Sequence, residues 1–169
     1  MKKARVGLIG LLIFVFSAQS AWSQKEKFHS IFIYNFSKYV KWPDSQSTAF
    51  VIGVYGSSSI YDDLSSMAAS KKVNNLPIEV KRYKSTSELE GCQILYVPSS
   101  ESSKIDEIIS STKGKPVLVV TDKPGSAKRG ASINFVEVDG KIKFELSQEN
   151  AESGGLKVAS ALASLAIIV

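Results

Sequence analysis

The sequence predicts a single α/β domain, built on a mixed, mostly parallel sheet of about six strands with a late antiparallel hairpin and flanking helices. Three observations lead there. The middle of the chain alternates short β-branched runs with helical stretches, as a parallel sheet requires. The runs at 51–55, 94–97 and 117–120 are apolar almost throughout, which suits strands covered on both faces. Asp139-Gly140 then separates two alternating segments, a two-residue hairpin signal.

The elements follow in order. Lys2, Lys3 and Arg5 precede an uncharged run over 6–16, which is too short for a membrane span and suits the apolar region of an export signal. Ala21 and Ser23 supply the small residues for cleavage before Gln24, and Ala18 and Ser20 offer an earlier site. No cysteine follows the apolar region to carry a lipid. The expected organisation is therefore a signal peptide over 1–23 and one exported domain over 24–169. The whole chain has 21 Lys and Arg against 16 Asp and Glu. Removing the signal leaves 18 against 16, a net charge of +2. The basic pairs Lys71-Lys72, Lys81-Arg82 and Lys128-Arg129 are isolated and read as solvated surface, so no nucleic-acid track is expected.

A helix is expected over 25–41, because Phe28, Ile31, Phe32, Asn35, Phe36 and Tyr39 recur at three- and four-residue spacing. Trp42-Pro43 stops it, since the residue before proline is pushed out of the α region. A buried strand over 49–55 ends at Gly56. A helix over 59–70 follows, with Ser58 or Ser59 as N-cap and Ile60, Leu64, Met67 and Ala68 on one face. A half-exposed strand spans 77–83, and Ser85 with Glu88 matches a capping box. A strand over 92–97 and a helix over 103–112, closed by Gly114, come next. The most apolar strand, over 117–121, leads through the loop from Lys123-Pro124-Gly125 to Gly130 into hairpin strands at 132–138 and 141–146. The Ala- and Leu-rich stretch over 156–169 reads as a terminal helix.

Few residues carry chemistry. One histidine and one cysteine cannot make a metal site of the usual kind, and no carboxylate spacing resembles a ligand set. His29 is expected exposed or capped on the first helix, and Cys92 as a buried, inert thiol opening a strand. Gly56-Ser57-Ser58-Ser59 joins a strand to a helix but lacks the phosphate-loop spacings and lysine, so it reads as a capped helix start. Asp62-Asp63 in the first turn favours the helix dipole. No catalytic residue, cofactor or metal is expected. Loops near Gly56, Ser99 and Pro124, at strand ends where open α/β sheets bind ligands, leave a small-ligand module as an alternative reading.

The segment Phe36-Ser37-Lys38-Tyr39-Val40-Lys41-Trp42-Pro43 resembles the opening signature of the YfiR family of bacterial periplasmic proteins. The segments 50–56, 92–97, 116–122, 130–135 and 143–146 are similar to its later blocks in the same order. Asn150-Ala151, Gly155-Leu156-Lys157-Val158 and the apolar end at 162–167 complete the series. The resemblance implies a non-enzymatic regulator. Such proteins bind and repress the periplasmic domain of a membrane diguanylate cyclase or a related kinase. An outer-membrane lipoprotein controls their release, with effects on cyclic di-GMP and biofilm. It also implies a homodimer. It implies no catalytic residues. The disulfides of the family's best-known members have no counterpart here, because Cys92 stands alone; only an exposed Cys92 could bridge two copies. Tyr39 and Trp42 are the expected partner-binding residues of the signature, although Trp42 also suits a role sealing the core edge while Pro43 ends the helix. Leu162 and Leu165 are expected to offer an apolar helix face for a partner or a second copy.

Overall fold

A computed structural model describes residues 24–43 and 47–169; the expected signal peptide over 1–23 lies outside the described residues. Helix α1 occupies 24–39 and runs directly into a two-residue strand, β1 (Val40–Lys41). Its buried side is set by Ile33, Phe36 and His29, four and three residues apart, with Phe32 wedged against Phe135 and Phe144. Strand β2 (Phe50–Tyr55) is buried along its whole length. Helix α2 (Ile60–Ala68) buries Ile60 and Leu64, one turn apart. A short strand β3 (Lys72–Val73) turns back into β4 (Leu76–Tyr83), and β5 (Ile94–Val97) follows. Helix α3 (Ile105–Thr112), β6 (Leu118–Thr121), β7 (Ile133–Val138) and β8 (Lys141–Leu146) complete the main body. The chain ends with α4 (Gln148–Ser153), β9 (Lys157–Val158), α5 (Ser160–Ala163) and β10 (Ile167–Ile168).

Eight strands form one sheet in the order β10-β8-β7-β6-β5-β2-β4-β3. The five central strands, β7-β6-β5-β2-β4, are parallel to one another. The β7–β8 hairpin is antiparallel, and Asp139 and Gly140 both take positive φ (52° and 69°), as its tight turn requires. Two apolar layers sandwich the sheet. One contains Phe36, Ile52, Ile60, Tyr96, Leu118 and Phe135, under α1, α2 and the C-terminal segment. The other contains Val51, Leu95, Val119, Ile105 and Ile108, under α3. This is the predicted α/β architecture, and six of its strands are longer than two residues, the number expected.

The terminal helix is a correction. Residues 156–169 form two short strands around a four-residue helix. Val158 pairs with Val40, and Ile167 and Ile168 pair with Glu145 and Leu146. Helical propensity summed over Ala and Leu is a weak preference, and the β-branched residues at the end find open sheet edges instead. The capping box is also a correction, because neither of its bonds forms. The Glu88 carboxylate accepts from the backbone N–H of Lys84 (3.0 Å), while Ser85 caps nothing and the turn is 3-10.

Candidate functional site

The two ends of the parallel strands differ in character. At the carboxyl ends, the strand order switches between β2 and β5, where open α/β sheets form a crevice. Side chains close it here. Gly56 takes φ +69°, and a Cβ on it would collide with the Glu101 side chain. The start of α1 lies over the same end. Ser58 donates to the Glu26 carboxylate (3.1 Å), and Lys25 approaches Asp122 (3.9 Å). Asp122 in turn accepts from the backbone N–H of Ser99 (2.6 Å). Burial raises the pKa of Glu26, opposed by the Ser58 hydrogen bond and reinforced by the charges of Asp63 and Asp122. The expected ligand loops at Gly56 and Ser99 thus sit at a filled, acidic end, while Pro124 stands exposed. Ser58 also accepts from the N–H of Ile60 (3.4 Å), so the serine run starts a helix, through Ser58 rather than Ser59.

His29 is the second correction. It was expected at the surface but is 1% exposed. It lies beneath the same end, stacked on Phe135, with Nδ1 3.5 Å from the Tyr96 hydroxyl. Among the described residues, its Nε2 meets no partner. Burial lowers its pKa to about 4 and pushes the Tyr96 hydroxyl well above its usual range. The misreading was of helix phase: Phe28 turns outward, 45% exposed, and the adjacent histidine takes the core position.

The amino ends of the strands are open. Trp42 leaves β1 and lays its ring edge-to-face on Phe50, with centroids 5.0 Å apart. Its Nε1–H donates to the carbonyl of Gln93 (3.1 Å), and the Gln93 side-chain oxygen accepts from the N–H of Val51 (2.6 Å). The indole therefore ties the end of α1 to β2 and β5. Beside it lies a cavity of about 340 Å³ walled by Trp42, Pro43, Leu89, Cys92, Lys115 and Val117. A second cleft of about 280 Å³ lies between Lys41, Trp42, Pro43, Gly155 and Lys157. The two share Trp42 and Pro43, which makes this motif the centre of the open end. The loop after α4 helps shape it, since a Cβ on Gly154 would strike the carbonyl of Lys115.

Of the residues expected to meet a partner, Tyr39 is 42% exposed and Trp42 is half-buried on the rim of both cavities. Leu165 is 71% exposed, whereas Leu162 is 3% exposed and belongs to the core, so these two leucines do not share a face. Cys92 is buried, and burial pushes its thiol up to about 12, so the condition for a bridge between copies is not met. Among the described residues no group of His, Cys, Asp and Glu could hold a metal ion, and no helix is long and apolar enough to cross a membrane. Sequence reasoning missed the pairing of Lys41 with Lys157. It required knowing that 157–158 is a strand.

A family model described as "DUF4154: YfiR/HmsC-like" matches residues 26–167. No curated protein matches the chain.

Proposed function

Because the chain belongs to the YfiR/HmsC-like family, we propose that it is an exported, non-catalytic regulator that binds and represses the periplasmic domain of an inner-membrane diguanylate cyclase. Repression holds cyclic di-GMP low and restrains biofilm. An outer-membrane lipoprotein relieves it, and the working form is a homodimer. The observation that carries this reading is the match over nearly all of the exported domain. The acidic end of the sheet is consistent with it: Glu26 and Glu101 lie against Ser58 and Gly56, at the strand ends that other α/β domains use for substrates.

The partner residues we assign are those of the Trp42 rim and the exposed Leu165, in preference to the buried Leu162. Half-buried aromatic rings next to a cavity are the usual anchors of protein contacts. The test is deletion of the gene together with affinity capture from envelope extracts. Deletion raises cyclic di-GMP, and the tagged protein retains a membrane protein with a cyclase or kinase output. Trp42→Ala captures less of it. Unchanged cyclic di-GMP with no captured membrane enzyme defeats the proposal.

One observation favours a second reading, a small-ligand module: the cavity of about 340 Å³ beside Trp42. A thermal-shift screen of small aromatic compounds and anions distinguishes it. Saturable stabilisation that is lost in Trp42→Ala supports it, and a screen without a hit counts against it.

A further inference from the structure

Helix α1 presents an unusual outward face. At 100° per residue, Lys27, Phe28, Ile31, Asn35, Lys38 and Tyr39 fall within an arc of about 120°. Phe28, Ile31 and Tyr39 are 45%, 43% and 42% exposed, and Lys27 and Lys38 are exposed beside them. The arc contains no carboxylate. The one acid of the helix, Glu26, lies on the other side, bonded to Ser58. Sixteen residues carry this mixture of cations and apolar side chains along about 24 Å.

Where the helix ends, the pattern continues in the strands. Lys41 stands directly opposite Lys157 in the antiparallel β1–β9 pair. Like charges facing across a ladder repel, and no carboxylate forms an ion pair with either among the described residues. Both border the cleft of about 280 Å³, whose other walls are Trp42, Pro43 and Gly155. Among the described residues, no anion faces the two lysines.

We propose that the outward face of α1 and the Lys41–Lys157 cleft form a contact surface for an anionic phospholipid bilayer. The lysines take lipid phosphates, and Phe28, Ile31 and Tyr39 enter the headgroup boundary, as amphipathic helices do when they lie in an interface. Tyr39, 42% exposed, has the amphipathic ring that settles at that depth. Charge selects a lipid surface over a protein. Lysine is depleted in the cores of protein interfaces, whereas here it is interleaved with the apolar residues along the whole face. A free anion would satisfy the two lysines but leave the apolar side chains of α1 uncovered. The inference needs the chain to be exported, but it does not depend on which enzyme is regulated, so either reading can fail alone.

The test is sedimentation of the exported protein, purified as the cell makes it, with vesicles of phosphatidylcholine alone or enriched in phosphatidylglycerol. Binding to the anionic vesicles is expected to be roughly tenfold tighter and to weaken with salt. Lys27→Glu with Lys38→Glu, and Phe28→Ser with Ile31→Ser, each lower it about fivefold or more while the circular dichroism stays unchanged. Lys157→Glu separates binding from folding: it turns a cross-strand repulsion into an attraction, so the melting temperature rises while vesicle binding falls. Equal binding to both vesicle types, no binding, or indifference to the charge reversals overturns the proposal. So does complete competition by inorganic phosphate at the concentration of the lipid, which marks a free-anion site. Capture of an acidic protein that is lost in the charge-reversed variant, without vesicle binding, overturns it in favour of a protein contact.

Discussion

The imidazole of His29 lies flat on the ring of Phe135, with centroids 4.0 Å apart and planes within 3° of parallel. The first helix is thereby fastened to the sheet by a titratable group whose Nε2 has no partner among the described residues. Only the neutral ring is at home there.

Acid should therefore loosen α1. The folded-state pKa of His29 is lowered to about 4 from 6.5 by burial, so the unfolded chain binds the proton more tightly. The stability held by the neutral ring is full above about pH 6.5 and falls as the pH drops towards 4, by up to about 3 kcal/mol. Urea midpoints measured across that window should fall with pH, and His29→Leu should flatten this part of the curve. An equally steep curve in the variant would show that other groups control the acid limb.

The loop after α4 should tolerate no side chain at its first glycine. Gly154→Ala drives a methyl group into the carbonyl of Lys115, and neither backbone can yield cheaply. A loss of about 2 kcal/mol or more is expected. Gly155→Ala has room, 3.7 Å from Pro43, but must hold φ at +79°, so its loss is about 1 kcal/mol. Chemical denaturation of the two variants gives the ranking.

Cys92 should behave as a core residue. With its thiol at about 12 and its side chain buried, it should resist thiol reagents until the protein unfolds. Oxidants should produce no disulfide-linked dimer on a non-reducing gel, and Cys92→Ala should leave the oligomeric state unchanged. Rapid labelling of the native protein would contradict this.

The two C-terminal leucines should separate cleanly. Leu162→Ala removes a core side chain and should cost about 2–5 kcal/mol. Leu165→Ala, at a position 71% exposed, should change stability by less than about 0.5 kcal/mol. Loss of partner capture in the second variant, at unchanged stability, would assign Leu165 to an interface.

Much of the fold was legible because its signals are local. Continuous apolar runs announced β2, β5 and β6, and Asp139-Gly140 announced the hairpin. Proline 43 correctly marked a break near the end of α1, although the helix already stops at 39. The ordered segments that resembled the YfiR family lie within the region the family model matches. The candidate site was legible only in part. Trp42 was singled out, but its hydrogen bond to Gln93 spans 51 residues of sequence, and no local pattern encodes such a contact.

By itself, then, the sequence determined the α/β class, the six principal strands and the family. These depend on periodicity, turn chemistry and the order of short segments, all written within a few neighbouring residues. Tertiary structure alone decided what the C-terminal stretch becomes, which way His29 points and that Lys41 meets Lys157. In each case the outcome depends on a partner distant in the chain. Val40 and Leu146 offer unpaired backbone to residues 158 and 168, and that pairing outweighs the helical preference of the stretch between them.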